Sequence, residues 1–272
     1  MPIRYRDIQQ RQGPFLREHN LPPCLLTLCR VFSLRAIDIV LIPGFWLNGD
    51  SWSEVTPVLE EAGHRVYPLT LPGLESVEAG RAAIGLRDHV RAVVEFVDGF
   101  KGPVVLVGHS GGGAIAHAVV DARPDRIARV VYVDSGPLAD GGVINDELTA
   151  VDGEIPLPDW SEFGEEDLVD LDDDLRAAFR ARSVPQPAAV ATDPQQISDE
   201  RRYDVPVTVI ACEFPSSTLR EWMSQGHPYT SELARIRDVE MIDLPTGHWP
   251  QFTRPVELGQ AIAASIVGKE SR

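Results

Sequence analysis

Lysine is almost absent from this chain: Lys101 and Lys269 are the two examples among 25 lysines and arginines in 272 residues. The positive charge is carried by arginine and is outweighed, since 41 carboxylates leave a formal net charge of -16. A phosphate backbone or an anionic lipid surface needs a basic face to release its counterions. The balance therefore argues against nucleic acid and membrane as partners and leaves a small-molecule substrate. Cysteine is scarce as well. Cys24, Cys29 and Cys212 fit neither a disulfide framework nor a zinc site, which points to a reducing, cytoplasmic compartment. Long hydrophobic runs are missing too: the most apolar stretch, residues 21–42, is interrupted by Arg30, Arg35 and Asp38, and no small-residue cleavage site follows it. Neither a membrane span nor a targeting segment is expected.

What is present suffices for a sizeable core. A hydrophobic content of 43% over this length fits one α/β domain. Residues 1–35 are polar, arginine-rich and aperiodic, and read as an extension outside the domain of residues 36–272. From there, apolar runs at residues 37–42, 65–69, 104–107, 130–133, 207–211 and 239–244 alternate with helix-length amphipathic stretches. That alternation predicts a mostly parallel central sheet with helices on both faces. Residues 51–62 read as a helix, with Ser51 and Glu54 at capping-box spacing and Gly63 at the end. Helices are also expected over residues 86–100 and from Pro255 to about residue 266. Residues 137–204 break the alternation and read as an inserted cap. Within it, the carboxylate-rich run 162–174 is expected to be a solvated helix face, because neighbouring carboxylates repel each other.

One motif carries chemistry. Gly108-His109-Ser110-Gly111-Gly112 follows a buried-type strand and precedes a small, apolar helical stretch, the context of a nucleophile elbow. The sharp turn strains the serine backbone and brings its neighbours too close for side chains, so the flanking glycines are required. A serine hydroxyl needs a base, normally an imidazole held by a carboxylate. His19 lies in the extension, while His64, His89 and His117 sit in a strand or helices and read as structural. The His109 ring should turn away from the hydroxyl. Of the loop histidines His227 and His248, the second directly follows the last strand, on the sheet edge that carries Ser110. Two strand ends offer the acid, Asp134 and Glu213. Asp134 is favoured because no spaced aspartate follows Glu213, and either choice keeps the order serine, acid, histidine. Backbone amides of Phe45 and Gly111 are the expected oxyanion donors, and Trp46 and Leu47 would wall the substrate. No cofactor and no metal are called for.

Pro43-Gly44-Phe45-Trp46, the Ser110 elbow and Gly247-His248-Trp249-Pro250 together resemble the α/β-hydrolase superfamily from about residue 37 onward. Residues 58–66 and 183–187 are similar to the small, cap-bearing group that includes plant methyl esterases and hydroxynitrile lyases. The resemblance implies an α/β-hydrolase fold and a Ser110–His248–acid triad. Three departures are informative. The group usually begins its oxyanion loop with His-Gly, where this chain has Pro43-Gly44, and a backbone donor survives that change. The lyases place a lysine beside the catalytic histidine, where this chain has Trp249, which disfavours cyanohydrin cleavage and puts Trp249 among the substrate-binding candidates. The group's usual acid follows the strand ending near Cys212, whereas haloalkane dehalogenases place it after the preceding core strand, which would match Asp134. The leading expectation is hydrolysis of a small carboxylic ester through an acyl-enzyme. The same triad could cleave a carbon–carbon bond or a lactone, or the fold could serve as a non-catalytic receptor. Substrate identity and oligomeric state are not legible in the sequence.

Overall fold

Short runs that are apolar at every position, not at alternate ones, form strands where both faces of a sheet are covered. The computed structural model describes residues 36–267, so the 1–35 segment, with His19, Cys24 and Cys29, lies outside the described residues. The described strands are β1 (Asp38–Ile42), β2 (Arg65–Pro68), β3 (Val104–His109), β4 (Ile127–Val133), β5 (Glu154–Ile155), β6 (Gln186–Pro187), β7 (Val207–Ala211) and β8 (Val239–Asp243). Six of them make one parallel sheet in the order β2-β1-β3-β4-β7-β8, and β5 and β6 pair separately and antiparallel. This is the mostly parallel sheet that the alternation predicts, and the α/β-hydrolase fold that the resemblance implies.

The helices are α1 (Thr56–Glu61), α2 (Leu86–Asp98), α3 (Gly111–Ala122), α4 (Asp173–Arg182), α5 (Ala188–Thr192), α6 (Ser216–Gln225), α7 (Pro250–Thr253) and α8 (Pro255–Val267). They split the core in two. Ile39 and Leu41 of β1 pack with Trp52, Leu59, Leu258 and Ile262 beneath α1 and α8. Val40 and Ile42, which point the other way, pack with Leu106, Val93, Val97 and Ile115 beneath α2 and α3. Successive side chains of a strand face opposite sides, so a strand covered on both must be apolar throughout. Among the described residues no helix is long and apolar enough to cross a membrane.

Two local expectations need correction. The helix expected over residues 51–62 is broken: a 3₁₀ turn at Gly49–Trp52 is capped by the Asn48 side chain, and α1 starts only at Thr56 with a proline in its first turn. Pro57 lacks an N–H and restricts the residue before it, and burial of Trp52 turns the chain inward, so the capping box never forms. The acidic run 162–174 is mostly loop. Its carboxylates serve as local caps and partners: Asp167 accepts from Gly164 N–H, Asp172 caps α4, and Asp170 pairs with Arg254. Asp173 and Asp174 in the first turn of α4 complement the positive end of its dipole.

The insertion between β4 and β7 carries β5, β6, α4 and α5. It is tied to the rest by buried bonds: Trp46 Nε1 donates to the Ile155 carbonyl at 3.1 Å, and Gln195 Nε2 to the Ala114 carbonyl at 2.9 Å.

Candidate active site

The strand order reverses direction between β1 and β3, so the loops at their carboxyl ends part and leave a crevice. Ser110 stands there, between β3 and α3, with φ 51° and ψ -127°, a conformation few side-chain-bearing residues adopt. Close packing maintains the strain. A Cβ on Gly108 would lie 2.6 Å from the Gly112 carbonyl oxygen, so both flanks of the elbow must stay bare. A Cβ on Gly44 would lie 2.6 Å from His109 Nδ1 and 2.9 Å from Ser110 Cβ, which shows how near the loop after β1 comes to the hydroxyl. The Ser110 carbonyl accepts from Ser135 Oγ at 2.6 Å and from Gly113 N–H at 2.9 Å. Ser135 has no signal in the sequence beyond following Asp134.

His248 follows β8 in a short loop pinned at both ends of the residue. Its N–H donates to the Asp167 carbonyl at 2.8 Å, and its carbonyl accepts from His109 Nε2 at 2.7 Å. The acidic loop of the insertion therefore holds the histidine through its backbone. His109 is fully buried, and burial and the charge on His248 hold its pKa down to about 3. It is thus a neutral donor facing away from the hydroxyl, fixing the loop instead. His227, the other loop candidate, lies elsewhere: it caps a 3₁₀ turn and stacks on Trp222.

The His248 ring bridges three side chains. Nε2 is 2.8 Å from Ser110 Oγ, and Nδ1 is 2.7 Å from Asp134 Oδ2. Nδ1 is also 2.7 Å from Glu213 Oε1. A single Nδ1–H cannot serve two acceptors well. The Asp134 contact has hydrogen-bond geometry, while Glu213 Oε1 is buried without a hydrogen-bond partner. Asp134, at φ 43°, also accepts from the backbone N–H groups of Cys212 and Glu213 through Oδ1, at 3.1 Å each. One aspartate thus anchors the ring with one oxygen and the backbone of the second acid with the other.

These contacts set the electrostatics. Burial pulls the His248 pKa down, but the hydrogen bonds and charges of Asp134 and Glu213 outweigh it and lift it to about 10. Burial pushes Glu213 up, the His248 contacts oppose it, and the Asp134 charge and Asp167 add to the rise, leaving it at about 7. Asp134 stays below its ordinary value, because the His248 contacts and the bonds from Glu213 overcome its own burial. Reactive atoms of Asp134, Glu213 and His248 all lie within 4.8 Å of one another, a spacing that a divalent cation could also bridge.

Ser110 and His248 open onto a cavity of about 1050 Å³. Phe45, Trp46 and Gly111 line it. The Phe45 ring lies so near Gly111 that a Cβ there would meet it at 2.7 Å. Gly111 N–H belongs to the first turn of α3, whose leading amides have no intrahelical acceptor. Leu47 and Trp249 are not on the cavity wall, against expectation. Leu47 is in the core, and Trp249 is 2% exposed, enclosed by Trp160, Phe163 and Phe179 at 5.3–5.8 Å between ring centroids. The indole packs its apolar faces and edges against aromatic rings of the insertion instead. The walls that the sequence reading missed come from the insertion, among them Leu138, Ile144, Leu148 and Phe163.

The alpha/beta hydrolase family model matches residues 39–261. A pyrethroid hydrolase of Sphingobium wenxiniae is 30% identical over 122 residues, 44% of this chain and 43% of the relative. Methylesterase 9 of Arabidopsis thaliana is 34% identical over 100 residues, 35% of this chain and 39% of the relative. The matched stretches span less than half the length of either relative. Among solved structures, an extracellular alpha/beta-hydrolase of a Paenibacillus species matches with a TM-score of 0.67 at 21% identity, covering 83% of this chain and 97% of that one. That last likeness is one of fold.

Proposed function

The chain belongs to the alpha/beta hydrolase family, and from that premise we propose that it is a serine esterase acting on a small, non-anionic carboxylic ester. The observation that carries this reading is the continuous relay from Ser110 Oγ through His248 to Asp134, 2.8 Å and 2.7 Å long, at the floor of an open cavity. Ser110 attacks the ester carbonyl while its proton passes to His248 Nε2. The Nδ1–H bond to Asp134 holds the ring in the tautomer that can accept it. The oxygen of the tetrahedral intermediate is taken by the Phe45 and Gly111 amides, each worth about 3 to 4 kcal/mol in barrier. Collapse expels the alcohol with the proton from His248, leaving an acyl-serine. Water, deprotonated by the same ring, then releases the acid.

An anionic substrate is disfavoured because the described cavity wall includes Asp140, Glu147, Glu162 and Asp167 but no lysine or arginine. Two relatives are named a pyrethroid hydrolase and a methylesterase, names that accord with ester hydrolysis. A cytoplasmic site of action belongs to the same reading, on the strength of the cysteine usage. The test is Ser110→Ala assayed with short-chain nitrophenyl esters. Turnover should fall by at least about 10³-fold with the melting temperature unchanged, and Ser110 should be labelled by a fluorophosphonate in the parent protein alone. Undiminished turnover in the variant would overturn the assignment; absence of labelling in the parent would favour a receptor.

A further inference from the structure

Glu213 has no part in the relay just described, yet it is placed as if it had. It ends the chain segment after β7, and Asp134 ends the segment after β4. These strands are sheet neighbours, in register at Val133 and Ile210, and β8, which leads to His248, is the next strand out. Three consecutive strands therefore deliver two carboxyls and one imidazole to one point. Nδ1 stands 2.7 Å from an oxygen of each acid. The Asp134 side chain also holds the Glu213 backbone N–H, so the two acids form one unit.

We propose that Glu213 is a second positioning carboxyl for His248, sharing the Nδ1 hydrogen with Asp134 and taking it over when Asp134 cannot accept it. The inference rests on the reading of Ser110 and His248 as nucleophile and base. Its physical basis is charge balance. The group comprises two largely buried acids and one partly exposed imidazole, with no lysine or arginine among the described residues within ion-pair distance of either acid. Two carboxylates beside a neutral ring would leave two unscreened buried charges, which is costly. One proton shared by the three groups removes that cost. It resides either on the ring, flanked by two carboxylates, or on Glu213, leaving Asp134 as the single anion and the ring free to accept from Ser110. The second arrangement is the one competent for attack. It also gives the otherwise unpartnered Glu213 Oε1 a hydrogen to share. The elevated pKa of Glu213, near 7, is what such sharing requires. The titratable groups that face it are Asp134, His248 and Asp167, with the Cys212 thiol and the Tyr229 phenol also within reach of its charge and His109 behind the ring.

The experiment compares Asp134→Asn, Glu213→Gln and the double variant against a neutral nitrophenyl ester across pH. A triad that loses its only acid drops about 10⁴-fold in kcat. With Glu213 in reserve, Asp134→Asn should lose about 10²-fold or less, and the double variant should fall the full 10⁴-fold. In Glu213→Gln the acid limb of kcat/KM should move to higher pH by about one unit or more, since the imidazolium can no longer pass its proton to Glu213 and must lose it to solvent. A Glu213 that merely filled space would leave that limb where it is. The proposal is overturned if Asp134→Asn is as inactive as the double variant, or if the acid limb of Glu213→Gln does not move to higher pH. Should Asp134→Asn fail to fold, the pH profile of Glu213→Gln decides alone. Turnover surviving in Ser110→Ala would instead sink the underlying esterase reading.

Discussion

His117 and His248 each sit within about 3 Å of a carboxylate, but the two clusters are balanced differently. His117, on α3, lies 3.1 Å from Glu232 through Nε2 and 3.0 Å from the Tyr132 hydroxyl through Nδ1. Glu232 also accepts from Arg202 Nε at 2.9 Å and from the Tyr203 hydroxyl at 3.3 Å. The guanidinium supplies the positive charge, so the histidine need not. Burial and the Arg202 charge hold the His117 pKa below its ordinary value despite Glu232. The His248 cluster has two acids, no guanidinium among the described residues and an open side toward the cavity, and its histidine is raised. A histidine beside a carboxylate is therefore no sign of chemistry by itself. Where another cation neutralises the acid, the ring stays below its ordinary pKa as a hydrogen-bond bridge; where none does, the acids raise the ring instead.

The comparison can be broken most sharply at the rings. His248→Ala should lower kcat by about 10⁴-fold or more with little change in melting temperature, since its ring is partly exposed. An activity loss of tenfold or less would place the two histidines in the same class. Glu232→Gln should do the opposite. It leaves Arg202 buried without its main counter-charge, costing about 3 to 5 kcal/mol, on the order of 10 °C of melting temperature, while kcat of the folded protein stays the same. The loss should depend on pH. Burial raises the Glu232 pKa, but His117 and Arg202 outweigh it and depress it to about 2. Its stabilisation is then complete above the ordinary glutamate value of 4.5 and disappears as pH falls toward 2. Urea titrations of parent and variant at pH 6 and pH 3 should show the gap narrowing; a gap independent of pH would mean that charge is not what Glu232 contributes. The smallest effect expected is on substrate charge. Against the acidic rim, an ester carrying a remote carboxylate should have kcat/KM about tenfold below its neutral isostere at low salt, with the difference shrinking as salt screens it. Equal rates would remove the charge argument against an anionic substrate.

How far the sequence could be read follows the range of the forces involved. The strands were legible because a run covered on both faces must be apolar throughout, as Ile39 to Ile42 and Val104 to Val107 are. The elbow was legible because bare flanks and a bracketing strand and helix are local requirements. The helix expected over residues 51–62 was misread because a capping-box spacing is weaker than a proline in the first turn and the burial of Trp52. Trp249 was misread because adjacency in sequence to His248 does not say which way a side chain points. It entered the aromatic cluster of the insertion, which is built from residues about 70 to 90 positions away. His109 could be recognised as turned away from the hydroxyl, but its bond to the carbonyl of His248 joins residues 139 positions apart.

The sequence by itself determined the order of the parts: an apolar strand that ends in a strained serine, two strands that end in acids, and a final strand that ends in histidine. These follow from backbone sterics and hydrophobic pattern, which act over a few residues. The tertiary structure alone decided that both acids reach the same ring nitrogen, because that depends on strands β4, β7 and β8 lying side by side in register and on where three side chains converge. Spacing along the chain can rank Asp134 against Glu213. Only packing in three dimensions can bring them to one proton.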